Sequence, residues 1–393
     1  MHQAAKSALC RKICVVSGTR ADYGILKETL QKIKASASLE LQLVATGSHL
    51  SETHGSTINE IKQDGFEVPY NVEIGLNCDS PEGISSSMAK AQAGFSSLFS
   101  QIRPDILLIL GDRYEILAAA LAAMFEKIPI FHIHGGEITE GAYDNNIRHC
   151  ITKLAHFHFV SHQSYRDRVI QMGELPETVM NVGSLGVEAL QSIKLFTKTE
   201  TEAHLGFKFF EQNILVTFHP ETLSKTDPVE QLDELFIALD AFQDTLILFT
   251  APNADTQSNA FISLIQDFVA KKPNSRKFVH SLGQKLYFST VNQIDVVVGN
   301  SSSGVLEVPS LGVVTLNIGN RQQGRIQAES IQNCPADQKQ IIKALERIAA
   351  EKLKLNVKKI ESPYEPKNAS ESILNTLENY KLDSIQKLFF DFL

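Results

Sequence analysis

Short, unbroken apolar runs punctuate this chain, and each ends in a glycine or polar residue before helical periodicity takes over. "KICVVSGTRADYG" reads as a strand from Ile13 to Ser17, a turn at Gly18 and a helix from about Ala21. "LQLVATGSHL" repeats the design at Leu41 to Gly47, and "DILLILGDRYEILAAALAA" places a strand at Ile106 to Leu110 before an alanine-rich helix. "IPIFHIHGGE", "HFHFVS" and "VMNVG" add three more strands. Runs that are apolar throughout suit strands buried on both faces, so the pattern predicts a parallel sheet with helices on each side.

The rhythm breaks at residues 191–212, which are polar, threonine-rich and without a clear strand. A second series follows: "NILVTFHP", "TLILFTAPN", "KFVHSLG", "DVVVGNSSSG" and "VVTLNIGNRQQGR". The expected fold is therefore α/β, with two Rossmann-like, doubly wound domains facing a cleft. Residues 1–190 form the first, 191–212 a connection and 213–370 the second, while 371–393 supply C-terminal helices that pack back on the first domain. Ligands of such sheets bind at the carboxyl ends of the strands, so the cleft is the expected site.

Composition narrows the class. A chain of 393 residues suits two cores better than one. Its net charge of −8 argues against nucleic acid or an anionic membrane as the main partner. An anionic ligand then needs a local pocket of arginines and backbone N–H groups. The five cysteines (Cys10, Cys14, Cys78, Cys150 and Cys334) form no C-x-x-C pair, and read as reduced, buried small residues. "MHQAAKSALCRK" lacks the apolar stretch of a signal peptide, and no run approaches the length of a membrane span. A soluble, cytoplasmic protein is expected.

The candidate chemistry sits at strand ends. In "GNSSSGVLEV" (299–308), backbone N–H groups and the hydroxyls of Ser301 and Ser302 can cradle a phosphate without a lysine, although serines there also serve as plain helix caps. Glu307 suits a ribose diol, or else is a solvated or first-turn acid. Arg20 and Arg321 follow strands, where arginines suit a diphosphate or a surface ion pair. His219 in "TFHPET" can donate to a phosphate or cap the turn.

"HIHGGEITEGAYDNNIRH" (132–149) crowds three histidines with Glu137, Asp144 and Arg148. Alternation predicts that His132 and His134 share one strand face, which invites a metal; the spacing of known metal motifs is absent, so none is expected. Asp144 stands at or near a helix N-cap, where its role can be plain capping, but a carboxylate pair brought together in a cleft is also what proton abstraction beside a leaving group requires. Asp112 and Arg113, adjacent at the tip of "GDRYE", can point to different sides of a cleft or form a local salt bridge. His156 and His158 in "HFHFV" read as strand packing.

Taken in order, "SGTRADYG", "GSHL", "ILGDRYE", "HIHGGE", "IRHCITKLAHFHFV", "FHPET", "VVGNSSSGVLEV" and "NIGNRQQGR" resemble the UDP-N-acetylglucosamine 2-epimerase family, hydrolysing branch. The likeness runs from about residue 12 to 330. It implies a glycosyltransferase-B-like fold and a reaction in which the C2 proton is removed, UDP leaves by anti elimination, and water adds to the 2-acetamidoglucal to release the free manno sugar. It implies no metal or redox cofactor, and a homodimer or homotetramer. Arg20, Arg113, His219, Asn253, Ser301, Ser302, Glu307 and Arg321 fall at nucleotide-binding positions, with the backbone near Leu282 against uracil. Asp112, Glu137, Asp144, His134 and Arg148 fall at catalytic ones.

One position departs. Many similar enzymes acting on UDP-GlcNAc have Glu where this chain has His134, and the "HIHGGE" version also occurs in enzymes acting on UDP-N,N'-diacetylbacillosamine. UDP-GlcNAc is the favoured substrate and the diacetamido sugar the alternative. A non-hydrolysing epimerase, a retaining glycosyltransferase, a non-catalytic UDP-sugar sensor and a metal hydrolase fit the acidic loop less well.

Overall fold

The computed structural model describes residues 10–51, 56–76, 79–252, 257–352, 361–381 and 384–391. The chain forms two compact units: Met1–Glu137 with Asp144–Ala189 and Tyr364–Leu393, and Ile138–Tyr143 with Leu190–Pro363. Both are Rossmann-like, as the apolar runs predict.

The first unit holds β1 (Arg11–Ser17), β2 (Leu39–Thr46), β3 (Tyr70–Val72), β4 (Ile106–Leu110), β5 (Ile130–Ile133), β6 (Phe157–Val160) and β7 (Val179–Asn181). Their order is β3-β2-β1-β4-β5-β6-β7, with every pair parallel. Strand β1 shows why: Ile13 and Val15 enter one core with Leu26 and Leu30, while Cys14 and Val16 enter the other with Phe95 and Phe99. Both faces are covered, so successive side chains must all be apolar. The strand order reverses between β1 and β4, the position at which such sheets open a ligand crevice.

The second unit holds β8 (Gln212–Thr217), β9 (Thr245–Thr250), β10 (Arg276–Val279), β11 (Val296–Gly299), β12 (Val314–Ile318) and β13 (Ile331–Cys334). Their order is β10-β9-β8-β11-β12-β13, again parallel, with the reversal between β8 and β11. Strands β3 and β13 have no counterpart in the sequence reading. The first has three residues, and "IQNC" lacks an apolar run.

The segment expected as a connection contains a helix, Lys198–Leu205, opened by a Thr197–Glu200 capping box and closed at left-handed Gly206. The C-terminal stretch is helical only in part. Helix Ala369–Asn379 buries Ala369, Ile373 and Leu377 in the first unit's core. Residues 384–391 are not helical, because their backbone finds partners elsewhere: Phe390 N–H donates to the Gly173 carbonyl at 2.9 Å, and the His156 ring meets the Ile385 carbonyl at 3.1 Å. Lys387 Nζ reaches buried Glu174 at 2.8 Å, where His158 Nε2 and Lys153 Nζ also converge at 3.1 and 2.6 Å.

The cysteines divide. Cys14 and Cys334 are buried, Cys10 is half-buried and Cys150 is exposed, so burial does not hold for all. Cys78 lies outside the described residues. Burial pushes the Cys14 thiol well up, which removes the thiolate needed for reactivity. Among the described residues no helix is long and apolar enough to cross a membrane.

Candidate active site

In the first unit the exits of β1, β4 and β5 carry the polar side chains. Thr19 caps the helix Arg20–Ala35 in a capping box with Asp22. Loss of hydration pushes the pKa of half-buried Asp22 up to about 7, with Arg113 pulling it back and Glu115 and Asp112 raising it further. Arg20 pairs with Glu60, Nε to Oε2 at 2.7 Å, and Arg113 pairs with buried Glu115 at 2.8 Å. Both arginines thus hold carboxylate partners on their own unit. Glu115 also fills the space beside Gly18, where a Cβ would lie 2.7 Å from its Oε1.

One buried arginine joins the Asp112 carboxylate to the Glu137 backbone. Arg148, on the helix Asp144–Leu154, is almost fully buried; its Nη1 donates to the Glu137 carbonyl at 2.8 Å and its Nη2 contacts Asp112 Oδ2. Asp112 therefore bonds Arg148, on an element 36 residues away, and its neighbour Arg113 bonds Glu115 instead. Glu137 is buried, and its Oε1 accepts from Ser161 Oγ at 2.9 Å and lies 3.5 Å from His134 Nδ1. Asp144 opens the same helix one turn before Arg148, so the two share a face.

The shared face expected for His132 and His134 does not form. Strand β5 ends at Ile133, and His134 turns left-handed at φ 65°. Its N–H donates to the Phe159 carbonyl at 2.8 Å. His132 instead reaches the Gly111 carbonyl through Nε2 at 2.8 Å, and burial lowers its pKa to about 3. A neutral imidazole with that bond is a strut between β4 and β5. His158 is likewise buried and bonded to Glu174, as strand packing predicts. Among the described residues no group of three or more His, Cys, Asp or Glu is set to hold a metal.

In the second unit the switch point between β8 and β11 is braced by one amide. Asn300 Oδ1 accepts the His219 N–H at 2.7 Å, and Asn300 Nδ2 donates to the His219 carbonyl at 2.8 Å. The Asn300 carbonyl in turn accepts from Arg321 Nη1 at 3.2 Å and Gln322 Nε2 at 2.8 Å. His219 and Arg321 are thereby brought together at three neighbouring strand ends. Ser301 stands at the N-cap of the short helix Ser302–Leu306 but makes no side-chain cap bond, so the plain capping role does not apply. Glu307 closes that helix and is buried, which excludes the solvated and first-turn readings. The Leu282 side chain is buried in the core. Asn253 lies outside the described residues.

Residues 31–378 match the UDP-N-acetylglucosamine 2-epimerase family. The chain belongs to that family. The polysialic acid biosynthesis protein P7 of Escherichia coli is 37% identical over 97% of each chain. The GDP/UDP-N,N'-diacetylbacillosamine 2-epimerase (hydrolyzing) of Campylobacter jejuni is 35% identical over 97% of this chain and 99% of its own. The fold is similar to that of the Methanocaldococcus jannaschii UDP-GlcNAc 2-epimerase in complex with UDP-GlcNAc and UDP, at a TM-score of 0.76, 17% identity and coverage of 93% of this chain and 99% of that one.

Several residues of this family member escaped the sequence reading: Asn300, Gln322, Ser161, Asp22 and Glu221. All five sit in the quoted strand-end motifs or next to them, which is the only local signal they give. Glu221 accepts the N–H groups of Asn320 and Arg321 at 2.6 and 3.0 Å on one oxygen.

Proposed function

We propose that this protein is a hydrolysing UDP-N-acetylglucosamine 2-epimerase, converting UDP-GlcNAc and water to ManNAc and UDP. The observation that carries the reading is the cluster in which Arg148 joins Asp112 to the Glu137 carbonyl at the exits of β4 and β5. A buried guanidinium held on two sides keeps acid–base groups at fixed positions, as proton transfer at carbon requires. One carboxylate of the set Asp112, Glu137 and Asp144 removes the C2 proton. The electron pair forms the C1–C2 double bond as UDP leaves, giving the 2-acetamidoglucal. Water then adds its hydroxyl to C1, a proton returns to C2 from the opposite face, and ManNAc is released. His134, against Glu137, completes the proton path.

The nucleotide is assigned to strand-end groups. Arg321, His219, Ser301 and Ser302 hold the diphosphate, Glu307 the ribose and the backbone at Leu282 the uracil. Arg20 and Arg113 would release Glu60 and Glu115 to reach phosphate. The scheme uses no cofactor. We read the protein as a cytoplasmic homo-oligomer, which light scattering on the purified protein tests.

His134 favours a second reading, the same reaction on UDP-N,N'-diacetylbacillosamine, and the Campylobacter relative supports it. Proton NMR in D2O with each sugar nucleotide separates the two. Free ManNAc carrying deuterium at C2, with UDP, is the expected product. Conversion of the diacetamido sugar alone would transfer the assignment to that substrate, and turnover of neither would overturn it.

A further inference from the structure

We propose that Glu221 is a positioning residue of the nucleotide site, an internal anchor that holds Arg321 where the diphosphate of a nucleoside diphosphate sugar binds. The proposal rests on the assignment of Arg321 to the diphosphate and goes beyond it to a residue that never touches the ligand. A carboxylate beside an anionic ligand is unfavourable unless donors stabilise its charge, and here the donors are backbone and amide N–H groups of the protein. Glu221 is 3% exposed. Its Oε1 accepts from the Asn320 and Arg321 N–H groups at 2.6 and 3.0 Å, and its Oε2 accepts from Gln231 Nε2 at 3.3 Å. Bonds from N–H groups to an ionised acceptor are about twice as strong as neutral ones.

The turn is shaped to receive that oxygen. Gly319, at φ 78°, leaves β12, and a Cβ there would collide with Glu221 Oε1. On the other side Gly141 lies against the same turn, where a Cβ would stand 2.7 Å from Arg321 Cα and 2.8 Å from its nitrogen. Arg321 is thus pinned through its backbone by Glu221 and through its guanidinium by the Asn300 carbonyl. Asn300 bonds the His219 backbone, and His219 lies two residues before Glu221. The contacts close a ring, His219 to Glu221 to Arg321 to Asn300 and back. In such a ring no member can shift without moving the others, so the spacing of His219 and Arg321 is set before any ligand arrives.

The test measures UDP affinity by isothermal titration calorimetry for the native protein, E221A, E221Q, R321A and E221A/R321A. Binding of uridine, which lacks phosphate, is followed in parallel by ligand-observed NMR. E221A is expected to weaken UDP by at least about tenfold while leaving uridine within about twofold, a split that general unfolding would not produce. E221Q should fall between, since its oxygen still serves the two N–H groups. The Gln231 amide, whose Oε1 is buried without a partner, can turn to accept the new N–H. The double variant should bind no more weakly than R321A. If E221A does not fold, E221D, whose shorter side chain withdraws the oxygen from the two N–H groups, takes its place and should give the same loss. R321A with native UDP affinity would overturn the assignment of Arg321. A weakened R321A beside an unaffected E221A, or losses that add in the double variant, would overturn the positioning role alone.

Discussion

Asn300 and His219, 81 residues apart, bond each other twice, the amide oxygen taking the histidine N–H and the amide nitrogen giving to its carbonyl. Aspartate at this position keeps the first bond and loses the second, leaving a buried carbonyl beside an added negative charge. N300D is expected to lose about 1–3 kcal/mol of stability, and to bind UDP at least about tenfold more weakly. Thermal melts and calorimetry check the two effects. An N300D protein with native UDP affinity would show that the brace does not serve the nucleotide.

Arg148 cannot be replaced by another cation. Lysine offers no planar fork to span Asp112 and the Glu137 carbonyl, so R148K leaves one of them without its partner. Turnover should fall by about a hundredfold or more, the loss typical of a misplaced catalytic group, with UDP affinity within about threefold of native. Steady-state kinetics and calorimetry measure both. Equal losses in kcat and UDP binding would place Arg148 with the nucleotide instead.

Asp22 gives stability an unusual pH dependence. Its folded pKa is raised from 3.8 to about 7, so between those values the folded chain holds a proton that the unfolded chain has lost. That contribution is present below about pH 4 and disappears as pH rises through about 7. D22N, which keeps an oxygen for the Thr19 N–H, should therefore melt higher than native, and by a larger margin at pH 8 than at pH 5. The same difference at both pH values would refute the linkage.

Lys387 ties the C-terminal segment to Glu174. Burial alone would raise that carboxyl, but bonds from His158, Lys153 and Lys387 outweigh it and hold the group at about 2. K387M should cost about 1 kcal/mol, given the lysine's partial exposure. It should also make residues 384–391 more sensitive to limited proteolysis. An unchanged cleavage rate would mean that Phe390 and Ile385 hold the segment without the lysine.

The legible part of this protein is the part written in short range. Strands such as "ILLIL" at β4 are buried on both faces, so local composition declares them. "YNV" and "IQNC" form strands because a neighbour offers them an edge, a fact the segments themselves do not encode. The site divides in the same way. Asp112 and Glu137 announce themselves as charges beyond strand ends, and Arg148 as a charge on the helix that follows the acidic loop. Asn300 and Glu221 look like ordinary turn residues until partners about 80 to 100 positions away are known. His134 went astray for a different reason: alternation holds only while the strand continues, and β5 stops one residue earlier.

The return of the chain to its first unit sets an order of events at the ribosome. Ala369, Ile373 and Leu377 fill a core begun by Ile13 and Leu26, so that core stays open until synthesis has passed Leu377. Most of the second unit, Leu190–Pro363, is continuous and can close while the first waits. A nascent chain halted before residue 364 would present a gap beside the helix Arg20–Ala35, a surface for a chaperone or for misassociation, which the last helix seals.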